Sequence, residues 1–334
     1  IEEIMENPVN YILTVLNSLH VGDEKAKKEV LLSIASRFLP REDRIHCVIQ
    51  APSSAGKNHL IQAFRKITPK KWWFTVTRLT PRALEHMPKS LGRQILYIQE
   101  YEGLREAAYS VRITISEGEL ILYYVARDPN TGELKTVQKK IHGSPVVITT
   151  TTKISLDEDM ENRTIYVNLD TSEEQTRKIM EYHTELATNV EKIAELAEIK
   201  RKAKALKVFF MNLKKYHVIL PRDAVKKLEE EIPATIRARR DWPRLLSLMK
   251  AHAILNQHKR EVREINGKQF LLASMEDVEF VKNNILEDIK KQIIGLTGIH
   301  EKVLEAVEAL GKSDFTVRDV QEKVRLSYRY TKNC

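Results

Sequence analysis

Cysteine is nearly absent from the 334-residue chain: Cys47 and Cys334 are the only two. That excludes a disulfide scaffold and a cysteine-rich zinc site, and it fits a reducing, cytoplasmic location. Glycine and proline are also scarce, at 11 each, which excludes collagen-like and low-complexity architectures. No apolar run approaches the roughly 20 residues that a spanning helix needs, and no signal peptide is present, so no membrane partner is expected. What the chain does have is 42% apolar residues, enough to bury a core, and 30% charged residues with a net charge of +9. Abundant Lys, Glu, Leu and Ala predict a helix-rich globular protein of two or three domains. The positive excess is a weak pointer to a polyanionic partner.

Residues 1–40 carry helical periodicity, interrupted at Gly22-Asp23. Strands are expected at 47–49, 72–77, 94–98, 145–148 and 164–169, alternating with helices, which implies a mostly parallel sheet in an α/β fold. Thr80 and Pro81 read as a helix start. The stretch 118–142 holds two β-prone arms around Asp128-Pro129-Asn130-Thr131-Gly132, the pattern of a long hairpin. From 172 on the strands largely stop. One charged helix is expected over 172–213, with others at about 221–231, 240–260 and 275–310. The resulting division is an N-terminal helical segment (1–44), a nucleotide-binding core (45–172), a helical lid (173–296) and a partial winged helix (297–334).

The sharpest motif is APSSAGKN, residues 51–58, placed after a strand and before a helix. Small residues let backbone N–H groups wrap phosphates, a lysine reaches the terminal phosphates, and the helix N-terminus favours the anion. Ser53, Ser54, Ala55, Gly56, Lys57, Asn58 and His59 are the expected ATP contacts. Ala51 replaces the usual first glycine. Asn58 stands where a magnesium-binding hydroxyl belongs, and its carbonyl is a candidate Mg2+ ligand.

The second motif is QILYIQEYEG, an apolar strand ending in acids about 40 residues later. Gln99 takes the usual metal-binding aspartate position, and Glu100 takes that of the base that polarises water. Glu102 is a candidate either for the magnesium shell or for the base. On the strand expected between these two elements, Thr150 or Thr151 can meet the γ-phosphate or position water. Arg163, before TIYVNL, is a candidate arginine finger. Arg127, Lys135, Lys139 and Lys140 decorate the hairpin and are candidate contacts to single-stranded DNA in a central channel. The segment SDFTVRDVQEKVRLSYRYTKN fits a helix-turn-helix, with Arg329 and Lys332 on the recognition helix. The chain starts without Met and stops inside that pattern, so a longer parent protein is expected.

In this order the motifs resemble the AAA+ ATPase core, and more narrowly the MCM-like replicative helicases carried with primases by phages and integrated elements. The most specific stretch runs from TPRAL through ILYIQEYEG, SEGEL and DPNTGE to PVVITTTT and ENRTIYVNL. The resemblance implies an αβα sandwich in which 118–142 is a pre-sensor-1 hairpin. It implies that Thr150 and Thr151 match the sensor-1 region and that Arg163 is an arginine finger acting on a neighbouring subunit. It also implies a sensor-2 arginine in ARRDWPRLLSLMK: Arg240 or Arg244, with Arg239 as a further alternative. The expected protein is an ATP-driven helicase motor, a ring that the family pattern makes hexameric, joined to a primase or initiator domain. The departures at Asn58 and Gln99 keep open an initiator or loader that remodels DNA without processive unwinding. A DNA-binding regulator without nucleotide binding is the third reading.

Overall fold

The computed structural model describes residues 2–77, 90–104, 107–128, 131–153, 156–294, 298–311 and 314–324. Helices α1 (Glu2–Glu6), α2 (Pro8–Leu19) and α3 (Glu24–Ala35) come first. Asn7 caps α2 by accepting from Asn10 N at 3.1 Å, with Pro8 in the first helical turn. Then follow β1 (His46–Gln50), α4 (Lys57–Ile67), β2 (Trp73–Val76), β3 (Ile95–Ile98) and α5 (Ala108–Glu117). A two-stranded ribbon, β4 (Glu119–Arg127) and β5 (Leu134–His142), leads into β6 (Val146–Thr151), α6 (Glu158–Glu161) and β7 (Thr164–Asn168).

Five of these strands form one sheet, in the order β2-β3-β6-β1-β7, and every neighbouring pair is parallel. Parallel pairing needs crossovers, and helices laid on both faces explain why β1, β3, β6 and β7 are almost wholly buried. The order puts β6 between the phosphate-loop strand β1 and the acid strand β3, where the sequence places it. The sheet separates two cores. One holds α2, α3, α4 and the later helices against Cys47, Ile49, Tyr97 and Ile148. The other, smaller core holds α5 and the ribbon base, Leu120 and Ile141, against Leu96, Ile98 and Val147.

The part after β7 departs from the expected all-helical pattern. The single helix expected over 172–213 is two, α7 (Glu173–Thr188) and α8 (Val190–Asn212). Asn189 breaks it, because its side chain accepts from Glu191 N at 2.9 Å and Lys192 N at 3.4 Å and so caps α8. A second sheet follows, with β8 (His217–Ile219), α9 (Arg222–Glu229), α10 (Ala238–Leu255), β9 (Val262–Ile265) and β10 (Lys268–Leu272), in strand order β8-β10-β9. Asn266 and Gly267, at φ 52° and 72°, make the tight β9–β10 turn. The long helix expected at 275–310 is three: α11 (Met275–Asn284), α12 (Leu286–Ile293) and α13 (Gly298–Leu310). Helix α14 (Val317–Val324) is the last described element. The expected helix start at Thr80-Pro81 and the recognition-helix residues Arg329 and Lys332 lie outside the described residues.

Candidate functional site

The loop between β1 and α4 is held open by its backbone. Gly56 sits at φ 92°, ψ 8°, a left-handed conformation natural to glycine, and Ser54 takes φ 66° without being glycine. A non-glycine residue there carries about 1 kcal/mol or more of strain, characteristic of a ligand-binding loop. Helix α4 begins at Lys57, directing its N-terminal N–H groups at the loop. Lys57 Nζ donates to Ala51 O at 2.6 Å and to Pro52 O at 2.8 Å. Burial pulls the Lys57 pKa down, and Glu100 and Glu102 oppose that shift.

These residues share one cavity of about 410 Å³. Its walls are Ser53, Ser54, Ala55, Gly56, Lys57, Asn58 and His59 from the loop, Glu100 and Glu102 beyond β3, and Thr150, Thr151 and Thr152 at the end of β6. Thr151 Oγ1 donates to Glu102 Oε1 at 2.8 Å and fixes that carboxylate. The Thr150 hydroxyl donates to Gln99 O and so ties β6 to the end of β3. Glu100 is left to the cavity and to Lys57. Thr152 is a wall residue beyond the two expected threonines, found by position on the strand rather than by any distinct signal.

The expected magnesium ligands need correction. Gln99 does not line the cavity; its Oε1 accepts from Thr77 Oγ1 at 2.5 Å, on the β2 side. Asn58 does line it, but Asn58 Oδ1 already accepts from Tyr97 Oη at 2.7 Å. Two neutral amides, each held by a hydroxyl, make a poor shell for a hard cation, whereas the carboxylates of Glu100 and Glu102 suit one. Among the described residues, no group of three or more His, Cys, Asp or Glu side chains could hold a metal ion. The donor set therefore fits magnesium brought in with a triphosphate, not a metal held by protein alone.

Sequence reasoning also missed a histidine pair. His20, at the end of α2, approaches His59 Nδ1 through its own Nδ1 at 2.9 Å and Asp23 Oδ2 through Nε2 at 2.8 Å. The two histidines are 39 positions apart, so no local pattern reveals the pair. Burial first, and then His20, Lys66 and His183, lower the His59 pKa.

A second cavity, also about 410 Å³, lies apart from the first and is lined by Glu42, Arg44, Asp159, Asn162, Arg163, Arg240, Pro243, Arg244 and Ser247. Arg163 Nε donates to Ser116 Oγ at 3.0 Å, and its Nη1 donates to Asp159 O at 2.5 Å. The two arginines expected to contact the nucleotide from the lid are here and not at the phosphate loop. Arg240 is exposed on this cavity. Arg244 pairs with buried Asp241 at 2.5 Å and donates to Asn162 O, which docks α10 against the segment before β7. Arg239 lies outside both cavities.

The ribbon β4–β5 presents two faces. Ile121, Tyr123, Val125, Arg127 and Lys140 lie on the exposed face, while Lys139 sits half-buried on the other. Lys135 is paired with Asp128 at 2.8 Å, and Lys140 with Glu119 at 3.4 Å.

A protein-family model described as MTBMA_p00010 P-loop domain matches residues 1–215. The chain belongs to this family. No curated protein matches it. Membership in this P-loop domain family supports a nucleotide-binding protein of the P-loop NTPase type, on an α/β fold with a mostly parallel sheet. No helix among the described residues of this P-loop protein is long and apolar enough to cross a membrane.

Proposed function

We propose that the chain is an ATP-hydrolysing AAA+ motor that acts on DNA as a ring oligomer, in the manner of an MCM-like replicative helicase. The observation that carries the ATPase part is the single cavity joining the Lys57 loop to Glu100 and Glu102. In this reading Lys57 and the loop N–H groups hold the β- and γ-phosphates. Glu100 orients the attacking water and takes its proton as the bond to the leaving ADP oxygen breaks. Thr151 holds Glu102 toward the phosphates, where that carboxylate would meet magnesium. Magnesium, when bound, neutralises phosphate charge.

Strand direction supports the ring reading. The loop lies at the C-terminal end of β1, and Arg163 lies just before the N-terminal end of β7, its parallel neighbour. Five residues of strand separate the two ends by roughly 16 Å at about 3.3 Å per residue. In this reading Arg163, too far from its own chain's loop, serves a phosphate on another chain, with Arg240 beside it in the same cavity. A hexamer, with the ribbons gripping single-stranded DNA, is the expected closed form, and a primase or initiator domain in a longer protein is its expected partner.

A second reading is an initiator or loader that hydrolyses ATP without unwinding. It is favoured by the hydroxyl-bound amides of Asn58 and Gln99, which weaken the magnesium shell. ATP turnover with and without single-stranded DNA, followed by strand displacement on a forked duplex, separates the two. The helicase predicts DNA-stimulated turnover and displacement, both lost in Lys57→Ala. Turnover without displacement selects the loader.

A further inference from the structure

Asp23, His20 and His59 form a hydrogen-bonded file that ends in the phosphate-loop cavity. Asp23 Oδ2 meets His20 Nε2 at 2.8 Å, and His20 Nδ1 meets His59 Nδ1 at 2.9 Å. The inner two members are fixed in place. The side chains of His20 and Asp23 are 5% and 3% exposed, and Asp23 Oδ1 accepts from Asp170 N at 2.8 Å. His59, the outer member, lines the cavity.

The file lies on one side of the loop and the acids on the other. Asp23 is bound to Asp170, just past β7, and Gln175 Nε2 donates to Val21 O at 2.7 Å. The α2–α3 corner therefore sits beside β7, while Glu100 and Glu102 follow β3, across β1 and β6. A nucleotide whose terminal phosphate met Lys57 and the acids would have His59 on the opposite side of the cavity, where its sugar and base would lie.

With both imidazoles neutral, hydrogen-bond roles set the chemistry of the outward nitrogen. A carboxylate only accepts, so His20 Nε2 carries a proton and donates to Asp23. In a neutral ring His20 Nδ1 is then an acceptor, so His59 Nδ1 must donate to it. Neutral His59 is left with a lone pair on Nε2, for which no protein partner exists among the described residues. A lone pair repels phosphate oxygens and accepts from a hydroxyl or amine.

We infer that His59 Nε2 reads the nucleoside rather than the phosphates, accepting a hydrogen bond from a ribose hydroxyl or an exocyclic base amine, with Asp23 and His20 as positioning residues. This rests on the nucleotide-site reading. One neutral hydrogen bond is worth roughly 3- to 10-fold in affinity.

The test is equilibrium binding of ATP, 2′-deoxyATP and ITP, with magnesium, to the whole chain. The first analogue removes a hydroxyl donor, and the second replaces the amine with a carbonyl. The wild type is expected to bind ATP about 3- to 10-fold tighter than at least one analogue. His59→Phe should bind all three equally, and His59→Gln, which restores an acceptor, should recover the preference. His59 is exposed, so these variants keep the fold. Equal binding of all three nucleotides by the wild type overturns the inference and leaves the nucleotide site standing. An equal loss for all three in His59→Phe overturns it too, since that marks a phosphate ligand. Absence of binding in both the wild type and Lys57→Ala overturns the nucleotide site itself, and the inference with it.

Discussion

The Tyr97 hydroxyl donates to Asn58 Oδ1 at 2.7 Å, tying the residue after the loop lysine to the strand that leads into the acids. Burial pushes the Tyr97 pKa up to about 12, so the phenol remains a donor across the physiological range. Asn58→Thr exchanges a hydroxyl-bound amide for a hydroxyl that can face the cation. It is expected to lower the magnesium concentration that half-saturates ATP turnover by several-fold. Tyr97→Phe alone should cost about 1 kcal/mol of stability, the usual worth of one hydrogen bond. A magnesium titration of turnover and a denaturant melt check the two.

In the proposed ring, with the phosphate loop and Arg163 at opposite strand ends, each chain would supply half of two different sites. Arg163→Ala should bind ATP normally yet lose about 10³-fold in turnover. Glu100→Gln should also be inactive. Mixing the two should restore part of the activity, because Glu100 of one chain meets Arg163 of the other. Subunit-mixing kinetics measure this directly.

His46 supplies a pH dependence unrelated to catalysis. It is buried, its Nδ1 accepts from Val147 N at 3.0 Å, and burial together with Arg244 and Arg44 depresses its pKa from 6.5 to about 3. Between those values the unfolded chain binds a proton that the folded chain excludes, so stability is full above 6.5 and falls as pH drops. The slope from this one group approaches about 1.4 kcal/mol per pH unit. Denaturant melts at several pH values should show this acid sensitivity reduced in His46→Asn.

On the ribbon, Arg127 is exposed without an ion-pair partner among the described residues, while Lys135 and Lys140 already face Asp128 and Glu119. Arg127→Ala should therefore weaken single-stranded DNA binding more than Lys135→Ala does. Its log–log salt slope should fall by about one, with ATP affinity unchanged. Binding isotherms at several salt concentrations decide it.

The parts of the site legible in the sequence are those whose chemistry is local. The Lys57 loop needs consecutive small residues, and the acids of QEYE follow an apolar strand, so both can be read from a window of ten residues. The ribbon was legible from its alternation and its DPNTG turn. What escaped depends on contacts across the fold. Tyr97 with Asn58 and His20 with His59 are each 39 positions apart. Arg240 and Arg244 were recognisable as lid arginines, but only the docking of Arg244 on Asn162 places them beside Arg163. The second sheet did leave a signal: Asn266-Gly267 between REI and KQF is a hairpin turn, obscured by strands of only three to five residues.

The two cores are unequal in size. Helices α2, α3 and α10–α12 are packed into one continuous interior with a single face of the sheet. Helices α10–α12 are thus braced against the sheet, and swinging them away would tear that interior. The ribbon is rooted in the smaller core through Leu120 and Ile141, beside Val147 of β6 and Ile98 of β3. Those two strands end in Thr151 and lead into Glu100, so the side of the sheet that carries the ribbon also leads to the Lys57 cavity. In the proposed motor, a change at the nucleotide would have a short route outward, and it would lead to the ribbon.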